Sequence, residues 1–319
     1  MKKVLYGALT LVLVGLLGAI ITINTSGAEA FTFSSVDVNE IQEIEAKNIT
    51  KVKVDSDQVD VNILPTNGEK IEVEFSGKVG KKSKKLYKLD IEEDGDTVEI
   101  RMEKKNKFQF MMFNFTRVSL NIEVPQKLYD SLQINTASGD INVDEIEAKE
   151  VAIESQSGDM EVVNVVSEGS LLLKTSSGDV IANDNQGKVV EIKTSSGDIE
   201  ERDSEAKEIS LYSSSGDIET NYQITSTLNI NTASGDIEVD TEEITGDLLL
   251  ESSSGDVDVR IGKSPASLAV DFKSGSGDGK VNLDDLKFTE KTEKRIIGEI
   301  GSGKYKLHAR TSSGDFTVN

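Results

Sequence analysis

Cysteine and tryptophan are absent from this chain of 319 residues, proline occurs three times and histidine once. Without Cys there is neither a disulfide framework nor a thiolate metal site. The lone His308 excludes a histidine-cluster metal centre and leaves room for one Ser-His-Asp arrangement at most. Aromatic residues make up only 5% of the chain, too few to line a long carbohydrate groove. Basic residues are also in deficit, with 35 Lys and Arg against 57 Asp and Glu for a net charge of −22. The deficit is uneven: residues 1–125 hold 17 against 19 (net −2), and residues 126–319 hold 18 against 38 (net −20). So acidic a region repels nucleic-acid phosphates, which argues against nucleic acid as a partner. Its plainest consequence is a soluble, self-avoiding surface.

Long hydrophobic runs are equally scarce. The one exception is residues 4–23, "VLYGALTLVLVGLLGAIITI", which follow a basic "MKK" start. A helix needs about 20 apolar residues to cross the hydrocarbon core. Lys2 and Lys3 should stay cytoplasmic, placing the rest outside the cell membrane. The run exceeds the roughly 7–15 residues of a signal-peptide core, so the expectation is an uncleaved single-span anchor. "AEA" at 28–30 supplies the alternative, secretion after cleavage near Ala30. A lipoprotein anchor is excluded because no Cys follows the run.

What the chain has in abundance is Ser-Gly-Asp. The tripeptide recurs nine times, with its glycines at Gly139, Gly158, Gly178, Gly197, Gly216, Gly235, Gly255, Gly277 and Gly314. The first six steps are 19 or 20 residues, then come 22 and 37, the last close to two periods. Self-similarity at such a period marks a solenoid or array. Seven and five residues before each Gly stand aliphatic residues such as Leu132 and Ile134, Val190 and Ile192, Leu248 and Leu250; three before is always Thr or Ser. Apolar and polar positions alternate as in half-buried strands, and the three-and-four spacing of a helix is missing. Each repeat therefore reads strand, corner, strand. Glycine enters left-handed backbone angles without steric cost, and Ser and Asp fold back on nearby backbone N–H groups. The Thr/Ser column fits a hydroxyl ladder between stacked coils. The competing arrangement is antiparallel hairpins turning at each SGD.

Calcium is the chemical alternative at these corners. Coils at the ~4.8 Å strand spacing would align the Asp residues in one column, where neighbouring unit charges repel by roughly 1 kcal/mol in water. Cations are thus permitted but not required, and each calcium needs six or more converging oxygens. The expectation is no cofactor.

Together with "VDVNILP" (59–65) and "LNIEVP" (120–125), the "LxIxTSSGDIxV" repeats resemble the bacterial "putative adhesin" β-strand repeat family, a domain of unknown function, over roughly residues 45–319. The resemblance implies an extracytoplasmic β-solenoid and brings no catalytic residues with it.

The expected fold is all-β, a repeat β-solenoid of about 19–20 residues per coil, with an atypical N-terminal β cap and an N-terminal transmembrane helix. Residues 1–30 are the anchor or signal segment, 31–48 a stalk, 49–125 the cap and 126–319 the solenoid. Within the cap, "VKVDSDQVDVNILP" (52–65) reads as a degenerate first repeat and "EDGD" (93–96) as a hairpin turn. The segment holding Phe108, Phe110, Phe113 and Phe115 reads as core strand, since aromatic runs mostly bury. With Lys81, Lys82, Lys84 and Lys85 it also reads as a basic, aromatic edge for contact with anionic lipid.

Enzyme motifs do not survive inspection. "GEIGSGK" (298–304) has phosphate-loop spacing, but Tyr305 stands where Ser or Thr should meet magnesium, and a strand pattern follows. His308 falls on the outward parity of that strand. Parallel β-helices can carry a pair of polysaccharide-cleaving carboxylates, yet a catalytic pair needs one unique environment, and nine like corners supply none. The reading is a non-enzymatic, membrane-anchored protein that presents a binding or sensing surface in the cell envelope, to an envelope protein, lipid or wall polymer. The alternative is a β-helix protein that binds or cleaves wall polysaccharide.

Overall fold

Alternating apolar and polar residues make strands with one buried and one exposed face, and the computed structural model, which describes residues 35–81, 84–104 and 117–319, is built from them. Among the described residues the only helical pieces are two short 3₁₀ turns, Ala46–Asn48 and Lys84–Leu86. No helix among them is long and apolar enough to cross a membrane; residues 4–23, the expected anchor, lie outside the described residues.

Each repeat gives one strand to each of two sheets, of 15 and 13 strands. In the Gly216 coil, for example, Glu205–Ser213 joins the larger sheet and Ile218–Asn221 the smaller. Strands of successive coils are parallel and in register. On the larger sheet Ile134 pairs with Ile153, then Leu173, Ile192, Leu211, Ile230 and Leu250. On the smaller, Ile141 leads through Met160, Val180, Ile199, Ile218 and Ile237 to Val257. All of these side chains are buried. Each fully buried aliphatic chain contributes about 1.5–3 kcal/mol relative to exposure, so the two facing columns hold the sheets together. Parallel pairing excludes hairpins at the SGD corners.

At both ends the order of coils in space departs from the order in the chain. Lys51–Ser56 is sandwiched between Thr97–Lys104 and Tyr129–Thr136, and Asp60–Thr66 between Arg117–Pro125 and Ile141–Asp144. The ladder thus crosses residue 125 and includes the coil expected as a degenerate repeat. At the other end Tyr305–Thr311 lies between Asp247–Ser252 and Leu268–Ser274. Phe316–Val318 lies likewise between Val257–Ile261 and Gly279–Val281. The 37-residue step from Gly277 to Gly314 is therefore not two stacked periods. The chain first adds the antiparallel strands Arg295–Ile300 and Lys287–Lys291 at the sheet end, then returns to occupy the coil beneath Gly277. Strand alternation specifies which face of a coil is buried but not which coil it stacks on.

Two segments of the N-terminal part differ in outcome. Residues 35–45, expected in a stalk, form the strand Ser35–Glu45, paired antiparallel along its length with Lys70–Gly80. Their alternation is weak because Glu and Asn fill most outward and edge positions, and only Val38 and Ile44 are buried. "EDGD" makes the expected hairpin between Tyr87–Asp94 and Thr97–Lys104, with Gly95 at φ +65°.

Candidate binding surface

The SGD corners are built by contacts between coils. None of the nine corner glycines has a positive φ, contrary to the turn chemistry expected of them. What requires glycine is close approach. A Cβ on Gly158, Gly178, Gly197, Gly216, Gly235 or Gly255 would lie under 3.0 Å from the carbonyl oxygen of the corner glycine one coil earlier. Gly139 sits on the Val59 carbonyl in the same way, Gly314 on Gly255, and Gly277 on Gly314. The buried Thr/Ser three residues before the Gly bridges two coils at Thr175, Thr194 and Ser213. Its hydroxyl accepts from the Gly N–H of its own coil, as in Gly197 N–H to Thr194 Oγ1 at 3.1 Å, and donates to the Gly carbonyl of the previous one, as in Thr194 to Gly178 at 3.1 Å. The same pair of bonds recurs at Ser213. The ladder runs mostly hydroxyl to backbone; Thr136 instead donates to the carbonyl of its own Gly139 and joins Ser155 hydroxyl to hydroxyl, both at 3.0 Å.

Aspartate also acts across coils, where a local turn bond was expected. Each Asp N–H donates to Oδ1 of the Asp below it, from Asp140 on Asp60 through Asp198 on Asp179 and Asp217 on Asp198 to Asp315 on Asp256 and Asp278 on Asp315, at 2.7–3.2 Å. One oxygen of each corner carboxylate except that of Asp278, the last in the column, is thereby engaged in the scaffold, while the corner residues stay exposed. Among the described residues no group of three or more His, Cys, Asp or Glu is placed to hold a metal ion.

The return corner carries the positive φ angles. Glu145, Asn164, Asp184, Asp203 and Tyr222, each six residues past a corner glycine, lie at φ +53° to +56°. Asn and Asp tolerate this region, whereas Tyr there is an outlier. Sequence reasoning missed this corner because its residue types vary. Beside it is a carboxylate that reasoning also missed: Glu201 stands in the inward column between Ala182 and Thr220 and is fully buried. The Thr220 hydroxyl donates to its Oε2 and the Ser204 N–H to its Oε1 at 3.2 Å. Burial pushes the carboxyl up to about 7, with the neighbouring Asp203 charge acting in the same direction. Its signal in the sequence was a single charge in a column otherwise filled by Val, Ala and Thr.

A cleft of about 220 Å³ opens beside Pro65, Pro125 and Tyr129. Its cation is taken up by structure: Lys127 Nζ donates to the carbonyls of Ala46 and Ile49 at 2.5 and 2.6 Å, and burial lowers its pKa. Lys81, Lys84 and Lys85 are exposed, whereas Lys82 and Phe108, Phe110, Phe113 and Phe115 lie outside the described residues. His308 points outward as its parity required, with Nδ1 3.9 Å from Asp271; burial and Arg310 hold its pKa below the ordinary histidine value. "GSGK" joins two strands through Gly301 and Gly303, both at φ +62°, and no helix follows.

Two largely parallel sheets wound as coils with aligned SGD corners define an all-β solenoid. The family model for Toastrack DUF4097 matches residues 49–319, and the chain belongs to that family. Among solved structures it is similar to a "putative lipid binding protein" from Parabacteroides distasonis, at 17% identity and TM-score 0.50 over 88% of this chain and 96% of that one. A "putative adhesin" from Bacteroides fragilis matches at 12% identity and TM-score 0.48 over 88% and 97%. A "putative cell adhesion protein" from Clostridium sporogenes matches at 16% and 0.33 over 89% and 99%. Likeness at such identities is one of fold. No curated protein matches the chain.

Proposed function

We propose that this protein is a non-enzymatic binding protein of the cell envelope, anchored by residues 4–23 and holding a rigid β-solenoid outside the membrane. The observation that carries this is the uniform use of the repeated polar groups. The corner glycines, most of the corner hydroxyls and one oxygen of each corner Asp but Asp278 serve coil-to-coil contacts, which leaves the outer faces as the variable surface. Family membership and the fold likeness support a binding role, and the basic start with one apolar run resembles LiaG, the membrane-anchored protein of the Lia cell-envelope stress operon.

Lipid contact near the anchor belongs to the same reading. Gly80 pairs with Ser35, the first described residue, so the basic run from Lys81 begins beside the point where the chain arrives from its apolar segment. Lys81, Lys84 and Lys85 are free of ion pairs among the described residues, and polybasic segments near a membrane are drawn to anionic lipid. The test uses protein beginning at residue 31, incubated with isolated envelopes and sedimented. Retention without release of sugar fragments is expected. A protein that stays in solution would end the binding role, and soluble fragments released from wall polysaccharide would put a hydrolase in its place.

A further inference from the structure

The solenoid changes sign at the end of the stack remote from Ser35. Residues 126–267 hold 9 Lys and Arg against 30 Asp and Glu, a net of −21, while residues 268–310, which form the cap at that end, hold 9 against 7, a net of +2. The positive charge is concentrated on the outer face of the larger sheet. Register sets Arg310 opposite Lys273 and Lys273 opposite Arg295, so three cations stand side by side across the sheet, roughly 5 Å apart. Lys306 is exposed on the same face of the same strand, four residues before Arg310.

The row is held rigidly. Asp271 accepts from Arg295 and from Arg310, the latter at 3.0 Å. Burial would raise the Asp271 carboxyl, but the two guanidiniums hold it below the usual carboxylate range. Arg295 Nη1 also donates to the Phe272 carbonyl at 2.9 Å, and Arg310 Nη1 to the carbonyls of Asp271 and Ala309 at 2.9 and 2.8 Å. Lys273 and Lys306 are exposed and their ammonium groups have no partner among the described residues. Glu251 and Glu299 border the patch, Glu290 lies 4.0 Å from Arg295 and Asp247 accepts from the Lys306 backbone N–H at 2.9 Å. The −21 body beyond them repels any polyanion that strays from the patch.

We propose that the row Arg310–Lys273–Arg295, with Lys306, is a docking site for a linear phosphate-bearing polymer. The arginines present fixed donors, the lysines free charge, and a linear polyanion can set successive phosphates across the row. This rests on the binding role above and names its partner chemistry. A polymer fits better than a bilayer surface, because the row lies at the opposite end of the stack from Ser35, the described residue nearest in sequence to the expected anchor.

The probe is fluorescent inorganic polyphosphate, titrated against the full chain in a detergent of neutral headgroup. Affinity should fall linearly on a log–log plot as salt rises from about 50 to 200 mM, as counterion release requires. Lys273→Gln should weaken binding about fivefold, the equivalent of roughly 1 kcal/mol per Lys, and flatten the slope by about 0.7. The Lys273→Gln, Lys306→Gln pair should lose about 25-fold if the two act independently. Neither ammonium group has a partner among the described residues, so both variants should melt as wild type does. Lys188→Gln, in the strand Gln186–Lys193 of a middle coil, should change nothing. The site is refuted by absent binding at low salt, by equal loss in Lys188→Gln, by capture of phosphatidylglycerol vesicles in place of polyphosphate, or by cap variants that dissociate a dimer without touching polyphosphate affinity. Envelope retention that survives the double substitution would leave the binding role standing and refute this site alone.

Discussion

A methyl group on Gly197 would overlap the carbonyl of Gly178, and this distinguishes close approach from turn conformation as the reason for the glycine column. In a left-handed turn Asn would be tolerated. Here Asn and Ala should fail alike: Gly197→Asn and Gly197→Ala should each lower stability by about 1–3 kcal/mol, the usual cost of overpacking, read as a fall in melting temperature. Where a glycine's angles suit any residue and space is open, Ala would stabilise by about 0.4–1 kcal/mol, so the sign alone decides. Glu201 offers a second test. Its carboxyl is raised from 4.5 to about 7 in the fold, so the folded state binds the proton more tightly than the unfolded chain. Its relative contribution is fully present below about pH 4.5 and is lost as pH rises through about 7. Glu201→Gln should therefore melt increasingly higher than wild type between pH 5 and 8, by an amount on the order of 3 kcal/mol at the upper end. A pH-independent difference between the two proteins would mean that the carboxylate is not desolvated.

At the level of strands and corners, much was legible and the gaps have identifiable causes. The apolar columns, the alternation and the SGD spacing specified two-faced strands and one corner per coil, because burial writes a period of two wherever one face meets a core. The hydroxyl column was legible as a ladder, though its true partners, the glycine N–H and carbonyl groups, leave no mark in the sequence. The return corner was not legible. Its left-handed position is filled by Glu145, Asn164, Asp184, Asp203 and Tyr222, and only three of these carry the Asn/Asp signature of such angles. The strand Ser35–Glu45 was missed for a related reason, since an edge strand over the end of a sheet buries little and shows little alternation. The cation row, too, is invisible along the chain: Lys273, Arg295 and Arg310 meet only through sheet register.

Over the whole molecule, the interleaved ends bear on how the solenoid comes apart. Repeat arrays are stabilised by nearest-neighbour interfaces and open from their terminal repeats. In this protein the first and last coils along the described residues are not the terminal coils in space. Lys51–Ser56 and Tyr305–Thr311 each lie one coil in, covered by a coil from elsewhere in the chain. Deleting residues 305–319 should therefore damage more than its own coil. Leu307 and Ala309 would vanish from between Leu248 and Leu250 on one side and Val270 and Phe272 on the other. Phe272 would lose its stacked partner Phe316, 4.6 Å away. The outer coil cannot simply settle onto the Gly255 coil, because Phe272 would take the slot shaped for Ala309, an overpacking that costs about 1–3 kcal/mol. Hydrogen exchange should show residues 247–300 losing protection together in the truncated protein, while the coils from Gly139 to Gly216 keep theirs. If the truncated chain instead protects residues 268–281 as well as the intact one does, the outer coil has re-docked and interleaving is not what secures this end.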